Sequence, residues 1–125
     1  MSIPASQDRY PYQNEQTWSK SEKTIARTAF DAALGRELHE VIQKTKQMAN
    51  SIQQSADLWN LEHYLTRRRK EIDRKYDYRY SQLTQVLGRL VHEKRLQEEE
   101  LSGLREDKLK SICSFAKFFA EDTAA

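Results

Sequence analysis

The chain has 125 residues, 38% hydrophobic and 32% charged, with 21 Lys plus Arg against 19 Asp plus Glu for a net charge of +2. That length fits one domain, and apolar material this sparse predicts that long helices bury part of their surface against a second copy. Near-balance of charge excludes a surface that is basic throughout, as a dedicated nucleic-acid binder would carry, so any cationic site must be local.

Both prolines, Pro4 and Pro11, lie in a polar opening segment without periodicity and without the apolar centre of a signal peptide. Residues 1–16 are expected to form a flexible N-terminal tail. From Thr17 onward there is no proline, and only Gly35, Gly88 and Gly103 could interrupt a helix, so the expected class is all-α. The first helix should start near Trp18 or Ser19, with Ser19 and Glu22 in capping-box spacing. It carries Ala26, Phe30, Leu34, Leu38, Val41, Thr45, Met48 and Ile52, which from Leu34 alternate steps of four and three like a coiled-coil seam.

Asn50, Ser51 and Ser55 make a polar weak point, and Ser55 could cap a second helix from Ala56 with Asp57 in its first turn. So short a break leaves two arrangements, antiparallel neighbours or a kinked rod. The second helix is expected to continue through Leu83, Val86, Leu87, Leu90 and Val91 to about Glu93. Residues 17–93 would then be a long-helix dimerisation and binding region, since such a helix needs a packing partner along its course. An acidic turn around Gln97 to Glu100 leads to Leu101, Leu104, Leu109, Ile112, Phe115, Ala116 and Phe119. Residues 94–125 are therefore expected to form a small C-terminal helical head over the end of helix two. The expected architecture is all-α and dimeric, without repeats or strands. No apolar run approaches the roughly 20 residues needed to span a bilayer, which predicts a soluble, unexported protein.

The residue types for catalysis do not assemble in the sequence. His39, His63 and His92 lack metal-ligand spacing, so no metal site is expected. The glycines lie too far apart for a phosphate-binding loop, and no Ser, His and acid arrangement stands out. Cys113, the single cysteine, excludes an internal disulfide; among Ile112, Phe115 and Phe119 it is expected to be a buried structural thiol. Neither an enzyme nor a cofactor is expected, and no catalytic residue is assigned.

Asp57 to Arg79 is the stretch that points to binding. Leu58, Leu61, Leu65, Ile72 and Tyr76 recur at helical spacing, interrupted by Arg68 and Arg69 where a leucine would fall. Burying an unpaired charge costs several kcal/mol, roughly, so such a position needs a carboxylate from a neighbouring helix, a partner protein or open water. Trp59 is either a core residue or an interface anchor, since tryptophan and arginine are enriched in binding hot spots. Leu58 and Trp59 cannot both face one seam; one turns toward the side bearing Glu62, His63 and Tyr64. The run Arg67 to Lys70 is partly neutralised by Glu62, Glu71, Asp73 and Asp77, which favours a selective acidic partner over a merely solvated face. Tyr76, Tyr78 and Tyr80 interleave with Arg74, Lys75 and Arg79 and could stack bases, although every-second spacing spreads them round a helix. Nucleic-acid binding through Arg67 to Arg79 is thus the alternative reading.

These residues resemble the fluorescence recovery protein family of cyanobacteria. The resemblance is carried by Leu58 and Trp59 followed by Leu61 and Leu65, by Arg69, and by Glu71-Ile72-Asp73 with Lys75-Tyr76-Asp77 and Arg79. Trp18, Ser19, Glu22, Phe30, Arg36-Glu37-Leu38, Glu99-Glu100-Leu101 and Asp107-Lys108 are similar too, so it runs from about Trp18 to Ile112. The resemblance implies an all-helical homodimer without cofactor or catalysis. It further implies binding to the C-terminal domain of the photoactivated, red orange carotenoid protein, faster return to the orange form, and release from the phycobilisome, ending photoprotective quenching. The implied location is cytoplasmic and peripheral to thylakoid membranes near phycobilisomes, with no integral membrane association and no nucleic-acid partner. Carried over by residue, Leu58, with Leu61, Leu65 and Ile72, would form the dimer interface, and Trp59 and Arg69 the partner-binding patch. Where the family often has histidine then aspartate, this chain has Glu62 then His63, displacing the acid by about 100 degrees round the helix. Gln85 stands where the family can carry an aromatic and Ser111 where it can carry a lysine; Lys108 and Lys110 are the expected substitutes for that cation.

Overall fold

A computed structural model describes residues 17–124, so the tail expected over residues 1–16 lies outside the described residues. The chain is all-α, with helices α1 (Lys20–Asn50), α2 (Ser55–Lys75), α3 (Leu83–His92) and α4 (Glu106–Ala124) and a 3₁₀ turn at Glu98–Leu101. No strand occurs among the described residues.

The expected capping box starts α1. Ser19 Oγ accepts the backbone N–H of Glu22 at 3.1 Å, and Glu22 Oε1 accepts that of Ser19 at 3.0 Å. At the next boundary Ser55 is already helical, and the cap is built differently from expectation. Asp57 Oδ2 reaches back to the N–H groups of Gln53 and Gln54 at 3.0 and 3.2 Å. Residues 51–54 separate α1 from α2, and of the two arrangements that so short a break allows the chain takes the antiparallel hairpin. Met48 lies across from Asn60 near the tip, and Glu37 meets Arg68 and Lys75 further down.

The second helix does not continue to Glu93. It ends at Lys75, and residues 76–82 form a connector before α3. No proline or glycine marks this break, because its cause is tertiary. Phe30 of α1 meets Tyr76 and Tyr78 edge-to-face at centroid distances of 5.3 and 4.8 Å, while Tyr80 packs at a 40° tilt against Trp18 at 5.8 Å. A continuous helix would scatter these three tyrosines round its axis, whereas the connector turns them all onto α1.

The head then folds back along α3. Gly88 permits the close α3–α4 approach, since a Cβ there would lie 2.6 Å from Phe115 Cβ and 2.7 Å from the Ile112 carbonyl. Gly103, at φ 102°, supplies the left-handed residue that redirects the chain into α4. The core joins Trp18, Ala26, Phe30 and Ala33 with Leu83, Leu87 and Leu90 of α3 and Leu101, Leu104 and Ile112 beyond it. Cys113, expected to be buried, is only half-buried. The core therefore sits at the end of α1 opposite the hairpin tip. Along α2 Ile72 is the buried apolar side chain, and the hairpin is left with large apolar groups in solvent.

Candidate functional site

Leu38 and Ile42 of α1 and Leu58, Trp59 and Leu65 of α2 are all exposed. Trp59 shows 58% of its surface, which decides its role within one chain: it is not a core residue. Between the helices runs an open apolar groove of about 470 Å³ lined by Leu34, Leu38, Val41, Leu65 and Ile72, with Arg68, Arg69 and Asp73 at its edge. Contiguous exposed apolar surface rimmed by charge marks an interaction face.

The two arginines that interrupt the leucine pattern separate cleanly. Arg68 turns inward, 16% exposed, and bonds Glu37 at 2.8 Å and Glu71 at 2.9 Å, so the neighbouring helix supplies the carboxylate that the pattern requires. Arg69 turns outward, 85% exposed, with Asp73 4.0 Å away. At that exposure such a pair is weak, and the guanidinium is open to a partner. Glu62 is instead occupied locally, accepting from the Thr66 hydroxyl at 3.1 Å and lying 3.9 Å from His63 Nδ1. Trp59, Glu62, His63 and Arg69 thus share the exposed part of α2, with Trp59 and Arg69 roughly 15 Å apart along the axis.

The residues expected from the head are not brought to that patch as a group. Gln85 is exposed on α3 beside a separate cleft with Arg74, Arg89 and Phe119, and Lys110 is exposed on α4. Lys108 requires correction as a partner-binding residue. It is 1% exposed, donates to the Thr17 carbonyl at 2.7 Å and to Glu22 Oε1 at 3.2 Å, and lies 5.0 Å from the Trp18 ring centroid. Burial pushes the Glu22 carboxyl up, but the Ser19 and Arg105 N–H groups and Lys108 outweigh it and hold the pKa at about 2. This buried pair ties the start of α1 to α4.

Glu37, which the sequence reading noted only within Arg36-Glu37-Leu38 and gave no role, organises the scaffold beneath the exposed face. It is 0% exposed and accepts from Lys75 Nζ, Arg68 and the Tyr76 hydroxyl at 2.9, 2.8 and 2.8 Å, with Arg95 Nε 3.2 Å away. Burial raises its proton affinity, yet the Lys75, Tyr76 and Arg68 hydrogen bonds and the Lys75 charge win, so the carboxyl stays below its ordinary value. Burial and the Glu37 carboxylate together push the Tyr76 hydroxyl well above its usual range. The available signal was an acid placed where the apolar spacing of Ala26, Phe30 and Ala33 continues.

The basic run is largely matched inside the chain. Arg67 pairs with Glu71 at 3.5 Å, Lys75 with Glu93 at 2.7 Å, and Arg79 with Asp77 at 2.5 Å. Among the described residues no cluster of His, Cys, Asp and Glu could hold a metal, and no helix is long and apolar enough to cross a membrane.

Comparison with known proteins addresses the same region. A family model described as photoprotection regulator fluorescence recovery protein matches residues 18–116. The fluorescence recovery protein of Synechocystis sp. (strain ATCC 27184 / PCC 6803 / Kazusa) is 38% identical over 103 residues, covering 82% of this chain and 94% of that protein. The solved structure of the Fremyella diplosiphon fluorescence recovery protein superimposes with a TM-score of 0.78 at 40% identity, covering 81% of this chain and 99% of that one. The Synechocystis sp PCC 6803 structure gives the same TM-score of 0.78 at 38% identity, with 81% and 99% covered. The match spans the hairpin, the tyrosine connector and most of the head, so the chain belongs to the fluorescence recovery protein family of photoprotection regulators.

Proposed function

We propose that the protein is a non-enzymatic regulator that binds the C-terminal domain of the photoactivated orange carotenoid protein. It accelerates return to the orange form and promotes release from the phycobilisome, at a site peripheral to thylakoid membranes. A ligand that binds a partly closed intermediate more tightly than the open red form lowers the barrier to domain closure in this way.

The observation that carries this reading is the uncovered face of α2, where Trp59 and Arg69 stand in solvent on a helix held rigid from behind by Glu37. Trp59, Glu62, His63 and Arg69 form the docking patch, and Gln85 and Lys110, exposed on the head apart from it, are a second, separate contact for the same partner. Leu58, Leu61 and Leu65, with Ile72 at the groove floor, form the contact in a homodimer. That contact completes a core which the single chain leaves confined to one end. Matching of Arg67, Arg68, Lys75 and Arg79 by carboxylates of the same chain weighs against a nucleic-acid partner.

The test is to mix the protein with photoactivated carotenoid protein in the dark and follow the red-to-orange absorbance decay. Acceleration is expected; an unchanged decay rate refutes the reading.

A further inference from the structure

At the far end of α1 from the hairpin tip lies a second surface that the docking patch does not use. Lys20, Lys23 and Arg27 follow one another at steps of three and four, so they share a face over the first two turns of α1. Tyr78 and Tyr80 of the connector lie against the same face, and together these side chains line an open groove of about 460 Å³. The tyrosines are fixed in place. Their rings meet edge-on at 5.6 Å, Tyr78 also packs on Phe30 at 4.8 Å, and its hydroxyl donates to the Lys23 carbonyl at 3.5 Å. The Lys23 Nζ stands 5.2 Å from the Tyr80 centroid and the Arg27 guanidinium 4.5 Å from that of Tyr78.

The charge here is handled differently from that on α2. Arg27 pairs with Asp31 at 3.2 Å, but no carboxylate of the described residues pairs with Lys20 or Lys23. The nearest acid in sequence, Glu22, is turned inward to Lys108. The groove thus combines an aromatic ledge, an unmatched cationic rim and the positive end of a long helix dipole.

We propose that this groove docks an acidic segment of a partner protein, with carboxylates on Lys20 and Lys23 and an apolar or aromatic side chain against Tyr78 and Tyr80. Charge complementarity selects the occupant. The groove is too open to enclose a small molecule, which a binding cavity buries over most of its surface. The cationic patch is also too short, and too interrupted by Asp31, to follow a nucleic-acid backbone. Tyrosine and arginine on a rigid base are the residues from which protein hot spots are built. Along α1 the groove lies roughly 35 Å from the level of Trp59, so the two surfaces can be occupied at once. This inference does not rest on the proposed function.

The experiment uses the whole protein and a fluorescein-labelled synthetic peptide of alternating Asp, Glu and Phe, followed by anisotropy at physiological salt. The parent is expected to bind, the Lys20→Glu/Lys23→Glu variant to lose about tenfold or more in affinity, and Lys20→Arg/Lys23→Arg to retain it. Trp59→Ala should bind the peptide like the parent, which separates this surface from the docking patch. Both lysines are exposed, and unchanged far-ultraviolet circular dichroism checks the fold. The proposal is overturned by absence of binding to the parent or by equal affinity in the charge-reversed variant. It is likewise overturned if a single-stranded oligonucleotide or phosphatidylserine vesicles displace the peptide at equal charge concentration.

Discussion

Replacing Glu37 with glutamine tests the idea that one buried carboxylate joins α1 to the end of α2 and to the chain beyond α3. The substitution keeps shape and removes the charge that Lys75, Arg68 and Arg95 share at 2.7, 2.8 and 3.2 Å. Breaking a buried ion pair by removing one partner costs roughly 3–5 kcal/mol. Here Lys75 keeps Glu93, Arg68 keeps Glu71, and Arg95 keeps Glu93 and Glu40, so the loss should fall near the lower limit, about 3 kcal/mol. With a urea slope of about 1.5 kcal/mol per molar, the unfolding midpoint should drop by about 2 M. Chain concentration must be equal in both experiments, because self-association shifts the midpoint. Acid adds an independent check. The folded pKa of Glu37 lies below its ordinary value of 4.5, so the unfolded chain binds more protons as pH falls through and below that value. The stability due to Glu37 is therefore present above pH 4.5 and lost toward lower pH, so the gap between parent and variant should narrow in acid. Glu22 contributes its own acid-linked loss in both proteins and cancels in the comparison. A midpoint change under about 0.5 M, or a gap that stays constant into acid, would refute the central role of Glu37.

Gly88→Ala should destabilise the head by about 1–3 kcal/mol through overpacking against Phe115 and Ile112, read as a lowered thermal midpoint; an unchanged midpoint would show that α3 and α4 separate freely. Lys108→Met should cost about 3 kcal/mol by leaving Glu22 buried without its cation. Because that role is structural, carotenoid-protein affinity measured below the melting range should stay at the parent value. Leu58→Glu places a carboxylate in the proposed dimer contact and should halve the mass seen by light scattering; retention of the parent mass locates the contact elsewhere. Arg69→Leu should leave helix content intact while slowing the red-to-orange recovery about tenfold, the effect of losing roughly one charge-assisted hydrogen bond, and a normal rate would remove Arg69 from the patch.

The start and end of α1 were legible because their information is local. The Ser19 and Glu22 spacing announced the start of α1, the polar residues from Asn50 to Ser55 announced a break without deciding between a turn and a kink, and the absence of later prolines announced the all-helical class but not the break after Lys75. Of the three outcomes the leucine pattern left open for its arginines, Arg68 takes the carboxylate from a neighbouring helix. Which of the two arginines would turn inward was not legible, since residues adjacent in sequence differ by about 100 degrees and the choice depends on where Glu37 arrives. Lys108 was misplaced for a related reason. A lysine in a polar stretch carries no mark of burial until Glu22, Trp18 and the Thr17 carbonyl surround it.

By itself the sequence determined the helical class, the capped start of α1, the position of the break after it and an apolar face too long for one chain to bury, because these follow from backbone preference and periodicity. The tertiary structure decided that α2 stops at Lys75, that Tyr76, Tyr78 and Tyr80 gather on α1, and that Glu37 and Glu22 hold buried cations while Arg69 stays in solvent. Those outcomes depend on contacts between residues far apart in the chain, where edge-on aromatic packing and paired buried charge outweigh the few tenths of a kcal/mol, roughly, by which local propensity favours continuing a helix.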